Sequence, residues 1–177
     1  MKALHHPDAV VRTVAAASLG RILPPAKPAV PALVEALKDE DREVRSSAAD
    51  ALGRIGRDAR EALPALVSAF HEKDPVVQQA AGAALFSIDP ILAVKEGVKL
   101  PGGVGGFQWV KEGAPALIQG LKKEGNAKLR ARIAQLFGEF GQDVDGVVAA
   151  LKGALEDPDP DVRAAAVKAL GKIGNDP

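Results

Sequence analysis

The sequence has no cysteine, no tyrosine, one tryptophan and one methionine. Without thiols there is no disulfide framework and no thiolate metal site. Aromatic residues make up 3% of the chain although 47% of it is apolar. The core must therefore be built from Ala, Leu, Val and Ile, and such small side chains suit closely packed helices. Neither sign of charge is in excess: 23 Lys and Arg face 23 Asp and Glu over 177 residues. No bulk field draws the chain to nucleic acid or to an anionic membrane. No apolar run approaches the length of a membrane span, and the N-terminal MKALHHPDAV lacks an apolar signal core. These absences favour a cytoplasmic location. The length suits one domain with a sizeable core.

What the sequence does contain is repetition. DREVRSSAADALGRIG, from Asp41, is echoed from Asp8, Asp74, Asn126 and Asp159. The column Arg12, Arg45, Gln78, Arg130, Arg163 is spaced by 33, 33, 52 and 33 residues. A second phrase keeps the same period: VPALVEALKD from Val30, LPALVSAFHE from Leu63, APALIQGLKK from Ala114 and VAALKGALED from Val148. Each phrase predicts a helix. In the first, Val44, Ala48, Ala51, Leu52 and Ile55 form one apolar stripe. Asp8, Asp41, Asp74, Asn126 and Asp159 stand at the N-cap position, where a side-chain oxygen accepts a backbone N–H. Pro75 and Pro160 follow at the helical position that tolerates proline, and Gly56, Gly141 and Gly174 end three copies. In the second phrase Leu63, Leu66, Val67 and Phe70 form the stripe, with Pro31, Pro64 and Pro115 in the first turns. A lone helix pair cannot bury both stripes, so neighbouring repeats must stack. The predicted fold is all-α: a right-handed α-solenoid of stacked helix pairs. It is a single domain, 1–177, with repeats at 1–27 (partial), 28–60, 61–96, 112–142 and 143–177. A Gly-rich insertion at 97–111 interrupts it.

The pattern PALVEALKDEDREVRSSAADALGRIG resembles the HEAT repeat, in the short form also found in phycobilisome-lyase-like proteins. The resemblance covers nearly all of the chain except the insertion. It implies that the Pro-led helices lie on the outer, convex side and the VR helices line a concave one. It also implies that Arg12, Arg45, Arg130 and Arg163 bond between layers, with Gln78 breaking the column. Leu4 aligns with Leu37, so the first repeat starts midway. The ends of such an array are expected to expose apolar surface, at Val30, Leu33 and Leu37 for the first full layer. From this follow self-association through uncapped ends and the expectation of a fragment of a longer array.

Candidate chemistry is sparse. His5 and His6 are adjacent and share no helix face. HEAT-like hydroxylases bind two irons through several His-Glu pairs, but His71–Glu72 is one pair without a second copy, and a metal site needs three or more converging ligands. EDPDPD (Glu156 to Asp161) and KDEDRE read as turns with caps, since they lack calcium-loop spacing. The Arg column as a phosphate track, in the manner of HEAT-like DNA-repair glycosylases, is outweighed by the acidic caps beside it. No catalytic triad, nucleophile elbow or phosphate-binding loop is present. No catalytic, cofactor or metal residue is assigned.

The insertion holds Pro101, the glycines of GGVGG and the sole Trp, and the segment reads as a surface loop pinned by Phe107 and Trp109 or as a contact element. Pro90 starts a short helix through Glu96. On the inner helices, the helical wheel directs the columns of Thr13, Ala17 and Gly20 away from the core stripe. Candidate partner-binding residues are Asp50, Gln79, Phe86, Phe107, Trp109, Gln135 and Lys168. Phe86 replaces the glycine found at 20, 53, 138 and 171 and is expected to meet Phe107 or Trp109. The expected function is a non-enzymatic scaffold binding a protein or peptide on its concave face. The alternatives are an auxiliary subunit of a chromophore-lyase-type enzyme and, third, a nucleic-acid-binding repair protein.

Overall fold

The structure, a computed structural model, describes residues 2–21, 27–99, 104–141 and 144–174, with residues 104–109 by backbone alone. Among these residues there are ten α-helices and no strand. They are α1 (Ala9–Leu19), α2 (Val30–Ala36), α3 (Arg42–Ile55), α4 (Leu63–Phe70), α5 (Pro75–Ile88), α6 (Pro90–Glu96), α7 (Val104–Lys123), α8 (Ala127–Phe140), α9 (Val147–Ala154) and α10 (Pro160–Gly174). Tight 3-10 turns occupy Lys2–His5, Lys27–Ala29 and Gly56–Ala62. The chain forms two compact units, Met1–Glu96 and Gly97–Pro177.

Local chemistry sets where the helices begin. Asp8 accepts from the Val10 N–H at 2.8 Å, and Asp41 from Glu43 and Val44. Asp74 serves Val76 and Val77, Asn126 serves Leu129, and Asp159 serves Asp161 and Val162. Each of these five caps satisfies N–H groups that a helix start leaves without a partner, at about 1 kcal/mol per cap. Pro75 and Pro160 are the first residues of α5 and α10, and α6 starts at Pro90 and ends at Glu96. α3 stops at Gly56, whose φ of 66° is cheap only for glycine.

In the first unit the Asp-capped helices α1, α3 and α5 lie side by side, with α2 against α3 and α4 against α5. In the second, α8 lies beside α10, with α7 against α8 and α9 and α9 against α10. The seams between capped helices are very close. A Cβ added to Gly20 would fall 2.5 Å from the Ala51 Cα, one on Gly53 would be 3.1 Å from the Ala84 Cα, and one on Gly138 would be 2.8 Å from the Ala169 Cα. This column, placed by the wheel on the groove side, instead faces the next layer. A wheel has no second helix in it, whereas here glycine is required by the approach of one. Companion side chains complete the core: Leu33, Leu52, Leu66, Leu117 and Leu151 are all fully buried. Each contributes about 2 kcal/mol by leaving water.

Two further expectations are corrected. Val30, Leu33 and Leu37 are buried, because α2 packs on α3 and on the Gly56–Ala62 turn. The exposed apolar residues at the start are Val10 (69%) and Val14 (59%) on α1. Also, Pro115 does not open its helix. α7 runs from Val104, so Gly105 and Gly106 are helical and Pro115 lies inside. Glycine in a helix costs only about 1 kcal/mol relative to alanine. Burial of Val110, Ala114, Leu117 and Leu121, one stripe at helical spacing, outweighs it.

Candidate binding face

Four positions on each capped helix lie away from the core, at spacings that return to one face every turn. In the first unit the sets are Val10, Thr13 and Ala17 on α1 with Arg21 in the turn after it, then Glu43, Ser46, Asp50 and Arg54 on α3, then Val76, Gln79, Ala83 and Ser87 on α5. Asp50, Arg54, Gln79 and Ser87 are exposed. Ser46 is buried, its hydroxyl donating to the Glu43 carbonyl at 3.2 Å. The Ser87 hydroxyl crosses to the neighbouring helix and donates to the Gly53 carbonyl at 2.8 Å. In the second unit Gln135 and Glu139 on α8, and Lys168 and Lys172 on α10, are exposed.

Asp50 and Gln79 therefore stand on adjacent helices of one unit, and Gln135 and Lys168 on adjacent helices of the other. Burial pushes the Asp50 carboxyl above its ordinary value, and the positive charge of Arg54 offsets this only in part. An exposed carboxylate that is nonetheless desolvated is one crowded by protein while still touching solvent. Phe86 is buried, at 2% exposure, so it adds nothing to the accessible face. The side chains of Phe107 and Trp109 lie outside the described residues. Arg21, Arg54, Ser87, Glu139 and Lys172 were missed from the sequence. They stand one turn beyond the column of Asp50, and that i+4 register was the available signal.

The arginine column does not face this way. Arg12 donates from Nε and Nη2 to both oxygens of Asp39, at 2.8 Å each, and from Nη1 to the His6 and Pro7 carbonyls. Arg130 clasps Asp157 in the same way, at 2.8 Å twice, with Nη1 on the Glu124 carbonyl. Arg45 reaches Glu72 through one bond of 3.2 Å and the Asp39 and Glu40 carbonyls through Nη1. The bidentate fork is the strong form of this contact. Hydrogen bonds from Arg12 and Arg130 hold Asp39 and Asp157 below the ordinary carboxylate range, against an opposing push from burial. The arginines are thus braces between layers. The Gln78 side chain instead donates to the Phe70 carbonyl at 3.0 Å. His71 turns to Glu96 while Glu72 turns to Arg45, so the His-Glu pair diverges. Among the described residues no group of three or more His, Cys, Asp or Glu could hold a metal ion. No described helix is long and apolar enough to cross a membrane.

The sequence profile of HEAT repeats matches residues 1–85 and 114–177. No curated protein matches the chain. Among solved structures, the complex of CpcE and CpcF of phycocyanin lyase from Nostoc sp. PCC7120 is similar, with 24% identity and a TM-score of 0.50. That match covers 99% of this chain and 64% of the other, so the chain spans just under two thirds of that relative. A designed armadillo repeat protein is 20% identical over 97% of both chains, with a TM-score of 0.49. Another, in complex with the peptide (KR)4, is 20% identical over 97% of this chain and 79% of its own, with a TM-score of 0.45.

Proposed function

The chain belongs to the HEAT-repeat family, an all-helical repeat scaffold, and from that premise we propose that it is a non-enzymatic module that binds a peptide or protein surface along its inner helices. The observation that carries the reading is the α3–α5 face. There Asp50, Arg54 and Gln79 are exposed between seams sealed by alanine and glycine. The seams fix the backbone, so the side chains are presented from rigid supports, which lowers the ordering cost of binding. Asp50 carries a desolvation penalty that a cationic or hydrogen-bond-donating partner would relieve. Gln135 and Lys168 offer a second pair on the other unit.

Selection of a peptide library against the chain, repeated with an Asp50→Ala/Gln79→Ala variant, tests the reading. Ligands that favour the parent support it. Failure to enrich any ligand, or equal binding to both chains, refutes it. A second reading, a subunit of a chromophore lyase, takes its motive from the phycocyanin lyase likeness, which extends to fold. A visible absorption band retained on mixing with a free bilin would favour that reading over the first.

A further inference from the structure

Two neighbouring turns on one edge of the second unit carry opposite charge at the same places. Around the turn from α7 to α8 stand Lys122, Lys123 and Lys128, all exposed. Around the turn from α9 to α10 stand Glu156 and Asp161, also exposed. The two turns are built alike. The Asn126 N–H donates to the Glu124 carboxylate as the Asp159 N–H donates to that of Asp157. Nη1 of Arg130 reaches the Glu124 carbonyl as Nη1 of Arg163 reaches the Asp157 carbonyl. Equivalent places therefore lie 33 residues apart, so Lys123 answers to Glu156 and Lys128 to Asp161.

These charges are not spent inside the unit. Among the described residues Lys122, Lys123, Lys128, Glu156 and Asp161 have no ion-pair partner. At the α2–α3 turn, by contrast, Lys38 pairs with Glu35 and Arg42 with Glu43. Lys128 also lies in the first turn of α8, at the positive end of the helix, where a cation is unfavourable. Local folding does not ask for it, and such departures mark contacts beyond the fold.

We propose that this edge is self-complementary and that two copies of the chain pair through it about a two-fold axis. α8 lies beside α10, and packed helices stand about 8–10 Å apart. An axis in the interface, midway between the turns, lays the basic turn of each copy over the acidic turn of the other. Lys123 then meets Glu156 of the second copy, Lys128 meets its Asp161, and symmetry makes both contacts twice. Pro158 and Pro160 limit the freedom of the acidic turn, which lowers the cost of ordering it. Zero net charge leaves no overall repulsion between copies. A long polyanion is the poorer occupant. Running on from the lysines, it would meet Glu156, Asp157, Asp159 and Asp161 about one screening length away. Stacked layers do not cover such a turn: α3 has α1 on one side and α5 on the other, yet Lys38, Glu40, Arg42 and Glu43 at its start stay exposed. None of the charges belongs to the residues assigned above to peptide binding, so either reading can fail alone.

Charge reversal tests the pairing. Lys123→Glu/Lys128→Asp makes both turns acidic, and Glu156→Lys/Asp161→Lys makes both basic. Each new side chain has the charge that the sister turn carries at that place, and circular dichroism checks that the variants fold. Sedimentation equilibrium at an ionic strength of about 0.05 M should show the parent as closed dimers, weakened by added salt. Either variant should associate at least about tenfold more weakly than the parent. All four substitutions together restore the complement and the net charge, and should bring the dimer back. Lys168→Glu/Lys172→Glu shifts net charge as much as Lys123→Glu/Lys128→Asp but lies off the turns, and should weaken association less than about threefold. A parent that stays monomeric, or whose association ignores both reversals, overturns the proposal. So does a loss with Lys168→Glu/Lys172→Glu as large as with the turn variants, or a fourfold variant that stays monomeric. Open polymers in place of dimers overturn the two-fold arrangement.

Discussion

Gly138 and Gly171 occupy one column, on α8 and α10 of the same unit, and alanine should act on them with opposite sign. The intrinsic term is common to both. Alanine in place of glycine in a helix gains about 0.5–1 kcal/mol, from helix propensity and from a less flexible unfolded chain. At Gly171 nothing lies within 4 Å of the new Cβ, so the gain should appear whole. At Gly138 the Cβ would be 2.8 Å from the Ala169 Cα and 3.0 Å from its Cβ. Backbone cannot rotate aside as a long side chain can, so α8 and α10 must part by about half an ångström. A gap of that size forfeits roughly a quarter of each dispersion contact along the seam. Overpacking of this kind costs about 1–3 kcal/mol, which exceeds the propensity gain. Gly138→Ala should therefore destabilise by about 1 kcal/mol or more and Gly171→Ala should stabilise. Equilibrium urea unfolding at constant m-value reads both against one reference. Equal stabilisation by the two substitutions would refute the close seam, and with it the role assigned to the glycine column.

Arg130→Ala should cost about 3 kcal/mol, because it strands an Asp157 side chain that is only 9% exposed. Arg45→Ala should cost about 1 kcal/mol, since Glu72 is 34% exposed and singly bonded. Urea unfolding measures both, and retention on immobilised DNA should not change for either. Asp39 and Asp157 have folded-state values below the unfolded carboxylate value of about 3.9. The stabilisation from these two is therefore complete above about pH 4 and is lost as pH falls through the folded values. Asp39→Asn/Asp157→Asn should flatten that acid limb in pH-dependent denaturation. Asp50 carries the opposite sign: its value is raised on folding, so its ionisation opposes folding at neutral pH. Asp50→Asn should raise the unfolding midpoint at pH 7, and the gain should vanish below about pH 4, where both states are protonated.

The readable parts of the fold were those decided within one or two turns of chain. The five N-caps, the prolines at 75, 90 and 160, and the glycine stop at 56 each follow from a backbone group and its nearest side chain. The arginine braces at 12, 45 and 130 were legible through the resemblance, which implies bonding between layers, whereas Arg163, expected to do the same, meets the Asp157 and Pro158 carbonyls of its own turn. What failed to read depended on a second helix. The column at 20, 53 and 138 sits against neighbouring alanines, a fact set by crossing geometry and absent from any single wheel. Val30, Leu33 and Leu37 are covered by a 3-10 turn that the pattern did not show. α7 begins at Val104 because a buried stripe overrode two glycines and an internal proline, a contest between propensity and packing that composition cannot decide. On the candidate face the wheel reaches Asp50 and Gln79, whereas its third column, at Gly20 and Gly53, lies in the seam between helices, and Arg54 and Ser87, one residue beyond that column, are the ones exposed.

The clasp geometry also bears on how the protein comes into being. Arg12 with Asp39, Arg45 with Glu72 and Arg130 with Asp157 each join residues 27 apart, and the glycine–alanine seams beside them span a similar stretch. A chain leaving the ribosome thus needs only about one further layer of sequence before the layer ahead of it can lock. Folding can keep step with translation, and the length of apolar chain exposed to chaperones or to neighbouring nascent chains at any moment stays near one helix pair.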